Sequence, residues 1–339
     1  MWQKRILDPD IIDQALVEQA LKENDEVIIQ FSDKTYNDKI LSELNELCDR
    51  YGDNFTIRFY GHHSNRFNCK IVNKIPNVKS LCVDCLLKAD HVEAITKLNN
   101  LKKLVLGVYE LNETEILSAP NFKNLTKLFI SDTKTKALNL EYLKVYNQLE
   151  YLIVCKHTKN INAIGELKKL NQLSLNSISK VPIGFVNQIP NLKTLRIILG
   201  GRENIHELEG STIEHLDLIW IRGFNNLSNI SNFKNLKSLL VEDNIQLPSI
   251  HFDQTLTALK DIKILNCKTL ASVTGLGSLP ALNNLRIFRT NVDFYSFINQ
   301  PLPPSLKILA FGTWKAKIDK DIKSVLQARG FSDGLEKQR

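Results

Sequence analysis

The chain has 339 residues, 43% of them hydrophobic and 24% charged, with a net charge of +7 at neutral pH. No apolar run reaches the roughly eighteen residues a spanning helix needs, so a membrane-crossing segment is excluded. Lys and Arg are interleaved with Asp and Glu, which implies a mildly basic solvated surface rather than a dedicated nucleic-acid stripe.

The N-terminus reads MWQKRILDPDII, and Asp8, Pro9 and Asp10 interrupt it too early for the apolar core of a signal peptide. Six cysteines, Cys48, Cys69, Cys82, Cys85, Cys155 and Cys267, are sparse for this length. They read as reduced thiols, and the expected location is cytoplasmic. Residues 9–23 read as a helix with Ile11, Ile12, Ala15, Leu16 and Ala20 on one side. Glu26–Phe31 reads as a strand, Lys39–Arg50 as a second helix with the stripe Ile40, Leu41, Leu44 and Leu47, and Phe55–Phe59 as another strand. Residues 1–75 are therefore expected to form an α/β cap whose strands extend the sheet that follows.

From there one pattern recurs: an apolar residue, two variable ones, Leu, one variable, then apolar. Leu101-Lys-Lys-Leu104-Val-Leu106, Leu149-Glu-Tyr-Leu152-Ile-Val154, Leu192-Lys-Thr-Leu195-Arg-Ile197 and Leu282-Asn-Asn-Leu285-Arg-Ile287 are examples. The central residue falls at Leu81, Leu104, Leu128, Leu152, Leu173, Leu195, Leu216, Leu239, Ile262, Leu285 and Leu309, in steps of 21 to 24. Alternation places both apolar residues of L-x-L on one face of a short strand. One unit cannot bury that face alone, but stacked units bury it continuously against a shared parallel sheet. The segments between strands are too short for long helices, so 3₁₀ or irregular turns are expected there.

This pattern resembles the leucine-rich repeat family over roughly residues 70–315, with repeat lengths similar to short bacterial, internalin-type repeats. The resemblance implies an α/β fold: a curved parallel sheet, an irregular or 3₁₀ convex side, about eleven repeats over 76–315 and atypical ends. It also implies an Asn or Cys just beyond each strand, bonded to the backbone. Only Asn244 and Cys267 fill that slot clearly; Thr133, His157, Ile178, Gly200, Ile221, Thr290 and Trp314 stand there elsewhere, so the ladder is expected to be incomplete. After the repeats, residues 316–331 should form a capping helix, with Asp321–Arg329 helical, Ile322, Val325 and Leu326 facing inward and Gly330 as its stop. Residues 332–339 are expected to be a disordered tail.

No nucleotide-binding loop, zinc-protease helix motif, nucleophile elbow or calcium loop is present, and Gly275-Leu-Gly277 and Gly200-Gly201 read as turns. Cys82-Val-Asp-Cys85, with His62, His63 and Cys69 upstream, suggests zinc at first sight. In the repeat frame, however, Cys82 is an outward strand residue. Extended residues three apart are about 10 Å apart and face opposite sides, whereas zinc needs converging ligands. Cys155 and His157 are likewise placed together by the repeat turn rather than by a catalytic cleft. No enzyme activity, metal or cofactor is expected.

Function is then expected on the outward strand residues. Phe129, Tyr151 and Ile153 should form an apolar patch; Arg196, Asp217, Leu240, Lys263, Arg286 and Phe288 should mix charge with apolar groups, with Trp220 at their rim. Aromatic and Arg side chains in such a setting are typical interface anchors. The sequence therefore reads as a protein-binding repeat protein. A bacterial immunity or inhibitor protein that clamps a toxin is the favoured version. An effector or scaffold acting on a cellular protein, and a nucleic-acid-binding solenoid, are the alternatives.

Overall fold

The computed structural model describes residues 3–33, 35–62, 66–134 and 136–334. His63 and residues 335–339 of the expected tail lie outside them. The chain divides into two compact units, Met1–Leu170 and Asn171–Arg339.

Among the described residues the first unit carries a parallel sheet of seven strands: β1 (Gln3–Leu7), β2 (Glu26–Phe31), β3 (Phe55–Tyr60), β4 (Ser80–Leu86), β5 (Lys103–Val108), β6 (Lys127–Ile130) and β7 (Tyr151–Cys155). Ile29, Ile57, Leu81, Leu104, Leu128 and Leu152 stand opposite one another across successive strands. The 24-residue spacing from Ile57 to Leu81 is thus a true register, and the cap strands join the repeat sheet. Helices α1 (Gln14–Glu23) and α2 (Asp38–Tyr51) fill the first two crossovers. The second helix buries the expected Ile40, Leu41, Leu44 and Leu47. The first begins later than the pattern suggests, because the Asp13 carboxylate accepts from the Leu16 N–H at 3.0 Å and caps it there. Its inward residues are Val17 and Ala20; Ile11 is left 78% exposed.

The second unit repeats the arrangement with β8 (Gln172–Asn176), β9 (Thr194–Ile198), β10 (His215–Ile219), β11 (Ser238–Glu242), β12 (Asp261–Leu265), β13 (Asn284–Phe288) and β14 (Ile308–Gly312). Leu173, Leu195, Leu216, Leu239, Ile262, Leu285 and Leu309 align directly. The leading apolar residues, such as Leu192, Leu236 and Leu282, are fully buried beneath them. Each such side chain contributes about 1.5–3 kcal/mol of burial. Three of the unit's six crossovers carry a 3₁₀ turn, Gly184–Gln188, Ser228–Asn232 and Leu276–Ser278. The crossover before β14 instead carries a short helix, α3 (Phe294–Ile298), capped by Asp293. The closing helix α4 spans Ala316–Ala328, beginning where the cap is expected and five residues before the periodic stretch Asp321–Arg329; Ile322 and Leu326 are buried and Gly330 follows in a left-handed conformation. Beyond it Ser332 bridges Ile308 in parallel fashion and covers the edge of β14, so this part of the expected tail is ordered.

The slot after each strand does more than the Asn-or-Cys rule suggests. Asn244 is fully buried; it donates to the Leu218 carbonyl at 2.8 Å and accepts from the Ile221 N–H at 3.0 Å. The Cys267 thiol points at the Val241 carbonyl at 3.7 Å. His157 occupies the same slot in the first unit: its Nε2 lies 2.8 Å from the Ser131 carbonyl, and its Nδ1 accepts from the Leu138 N–H at 3.1 Å. Two ring nitrogens do the work of one amide. In all three cases the carbonyl reached lies 26 residues back. Asn244→Ala would strand a buried donor and acceptor at about 1–3 kcal/mol each. The expected loss is therefore about 3 kcal/mol in chemical denaturation, against about 1 kcal/mol or less for Cys267→Ala, whose S–H is a weak donor. Equal losses would disprove the ladder's role.

Candidate functional site

A carbonyl can only accept, so the hydrogen of His157 sits on Nε2 and Nδ1 must stay unprotonated to receive Leu138. Burial, the main cause, lowers the His157 pKa below its ordinary 6.5, partly countered by the Ser131 bond and the Asp132 charge. The folded state thus binds this proton more weakly than the unfolded chain, and the stability His157 supplies is complete above pH 6.5 and shrinks as pH falls below it. The melting temperature of the chain should drop between pH 7 and pH 5, and His157→Asn should flatten that drop. A variant that melts with an unchanged pH slope would rule this out.

Burial disfavours the thiolate at Cys48, Cys69, Cys82, Cys85 and Cys267. Burial pushes Cys48 and Cys69 up to about 12, and burial with the neighbouring Asp84 carboxylate raises Cys85. Cys85 does not continue an extended strand but turns left-handed in a bulge after Val83. His62 is turned to the Tyr60 carbonyl at 2.9 Å and the Tyr36 hydroxyl at 3.3 Å. Cys155 lies on the outward face while His157 is buried. Among the described residues no three His, Cys, Asp or Glu side chains converge as a metal site. No described helix is long and apolar enough to cross a membrane.

The outward strand residues lie where alternation places them. In the first unit Phe129 stands directly opposite Ile153, and Tyr151 opposite Lys127, two residues before Ile153 on the same face. All three are half-buried, and Val105 continues the row beside Phe129. The structure therefore brings Phe129, Tyr151 and Ile153 together. Toward the cap the same face turns polar. Arg58 grips Asp84 with two bonds of 2.7 and 2.8 Å and stacks 4.4 Å from the Tyr60 ring.

In the second unit Arg196 and Asp217 are register partners joined by a 2.9 Å ion pair, so their charges largely cancel. Leu240, Lys263 and Arg286 follow in the same row, and Phe288 lies two residues beyond Arg286. Trp220 immediately follows β10 in a left-handed conformation (φ 51°) and is 63% exposed. It is not isolated. Leu199 holds the equivalent place after β9, and Ile198 and Ile219, half-buried and in register, complete an apolar patch with it. Leu199 was not foreseen; the available signal was its position four residues beyond the central Leu195, the same as Trp220 beyond Leu216. Eight non-glycine residues among those described share that place and that backbone: Cys85, Lys156, Ser177, Leu199, Trp220, Asp243, Asn266 and Arg289. From Ser177 onward each donates its N–H to the next strand at 2.7–2.9 Å, adding a last rung to the ladder before the chain turns away.

No family model matches the chain, and no curated protein matches it. Solved structures do. An internalin from Listeria monocytogenes is similar over 93% of this chain and 87% of its own, at 15% identity and a TM-score of 0.51. A leucine-rich repeat protein of Leptospira interrogans is similar over 94% and 92%, at 16% identity and a TM-score of 0.43. With the 21–24-residue register, the parallel strands and the 3₁₀ crossovers, the chain has the leucine-rich repeat fold.

Proposed function

We propose that this chain is a non-enzymatic protein-binding module that recognises its partner through the outward strand residues. Phe129, Tyr151 and Ile153 act in the first unit; Arg196, Asp217, Trp220, Leu240, Lys263, Arg286 and Phe288 act in the second. The observation that carries this reading is the row of partly exposed aromatic, aliphatic and charged side chains standing directly over a continuous buried core. Such a face is held rigid by the stacked strands, so little ordering entropy opposes association. Of its cations Arg196 pairs with Asp217 and Arg58 with Asp84, and just ahead of the strands Glu214 receives both Lys193 and Lys237. The outward cations of the repeat strands left without an ion pair among the described residues, Lys127, Lys263 and Arg286, are few for a run of phosphates, which favours a protein partner over nucleic acid.

Within that reading the chain is a cytoplasmic bacterial inhibitor that clamps a toxin or effector. The test uses the full chain as bait in a lysate of its source cell, beside the Phe129→Asp/Tyr151→Ala double variant. A stoichiometric protein captured by the first and lost from the second supports the reading, and a toxic enzyme would fix the inhibitor role. Capture of nucleic acid alone, or equal capture by both baits, would defeat it.

A further inference from the structure

The C-terminal end of the second unit holds a cavity of about 450 Å³. Its walls come from the end of β13, from β14, from α4 and from the returning segment around Ser332. Phe288, Phe311, Trp314, Leu326 and Phe331 make it mainly apolar. Because residue 312 is glycine, the Phe288 ring lies close against the β14 backbone and forms one wall: a Cβ there would come within 2.7 Å of the ring. The Asp319 carboxylate fixes the wall by accepting from the Thr313 N–H at 2.6 Å, the Thr313 hydroxyl at 2.7 Å and the Trp314 N–H at 2.9 Å. A rigid apolar hollow of this size suits a large side chain or a small ligand.

Charge narrows the choice. Residues 284–334 carry five Lys and three Arg against four Asp, a net +4 in a chain whose total is +7. Three of those acids are engaged within the fold: Asp293 and Asp319 accept backbone N–H groups, and Asp333 pairs with Lys323 at 2.6 Å. Among the described residues Lys263, Arg286, Arg289, Lys315, Lys317 and Lys320 form no ion pair. Lys263 and Arg286 face each other on adjacent strands, an arrangement that is unfavourable until an anion lies across it. Phe288, a wall of the cavity, is two residues from Arg286 on the same face. Arg289 stacks 4.3 Å from the Trp314 ring at the other side.

We propose that this cavity is an anchor pocket for an aromatic side chain on an acidic segment of the partner protein, with carboxylates of that segment set against Lys263 and Arg286. The inference rests on the protein-binding reading and gives it a partner chemistry. The probe is a fluorescein-labelled peptide of Asp and Glu with one central Trp, compared by fluorescence anisotropy with its Trp→Ala form and with a form in which Lys replaces every acid. The full chain should bind the first at least tenfold more tightly than either control. Lys263→Ala with Arg286→Ala should weaken binding at least tenfold and make what remains nearly independent of salt. Ala316→Trp, which fills the mouth from an exposed helix position, should abolish the preference for Trp while the melting temperature holds. Equal binding of the Trp and Ala peptides, or of the Lys peptide, overturns the proposal. Failure here with partner capture still lost from the Phe129→Asp/Tyr151→Ala variant would sink this pocket alone. Failure of that capture experiment with the peptide result intact would sink the other surface.

Discussion

Alanine at Gly275 is expected to destabilise the second unit by about 3 kcal/mol or more. Gly275 adopts φ +78°, where an L side chain already costs roughly 1–2 kcal/mol. A Cβ at this position would also overlap the Phe252 carbonyl oxygen of the preceding repeat, with the Phe252 carbonyl carbon at 2.9 Å and nitrogen at 3.0 Å. These are backbone atoms, and Phe252 donates its own N–H to the Thr274 carbonyl at 3.1 Å, so they cannot swing aside without breaking the repeat contact. Gly330 provides the comparison. Its φ is +86°, yet nothing lies within 4 Å of the added carbon, so Gly330→Ala should cost only the backbone term of about 1–2 kcal/mol. Urea denaturation of the two variants separates the terms as a difference in midpoint at similar slope. Equal midpoints would show that the repeats can part at Phe252 more easily than the packing implies.

The second large effect concerns binding. Phe129→Asp with Tyr151→Ala should weaken partner affinity at least about a hundredfold, equivalent to about 2.7 kcal/mol, while leaving the melting temperature within a few degrees. Phe129 and Tyr151 are half-buried on the outward face, and neither belongs to the buried row of Leu128 and Leu152. The carboxylate would stand between Val105 and Ile153, where any partner surface complementary to an apolar patch must desolvate it. Isothermal titration against the captured partner measures the change. An affinity that stays within threefold would move recognition off the first unit altogether.

The repeat frame was legible because burial of L-x-L is periodic and every repeat imposes it again: Leu104, Leu216 and Leu285 stand where the spacing places them. The ends and exceptions were not. The first strand, Gln3–Leu7, offers only Ile6 and Leu7 as apolar residues and carries Lys4 and Arg5. It exists because Val27 and Ile29 of the next strand provide a partner, which a local pattern cannot reveal. The apolar pattern of α4 begins only near Asp321; the helix starts at Ala316 with the turn before it fixed by Asp319, reaching back from inside the helix to Thr313 and Trp314. His157 looked like a gap in the ladder because the rule names residue types; what the site requires is one donor and one acceptor at the right reach, and imidazole has both. The outward residues could be enumerated from alternation alone, but their pairing could not. Arg196 and Asp217 looked like two separate recognition charges and are joined in one ion pair.

The left-handed turn that follows the strands from β7 to β13 sets two demands against each other. At Leu199, Trp220 and Arg289 the backbone would be more comfortable with Asn or Gly, and asparagine already stands at the equivalent Asn266. Redesign of this chain guided only by backbone preference would therefore rewrite Leu199, Trp220 and Arg289 first. It would yield a hardier scaffold stripped of the exposed Trp220 ring and of the cation stacked on Trp314. What these positions hold now is a concession of stability to the surface, and the turns that end these strands are where that concession accumulates.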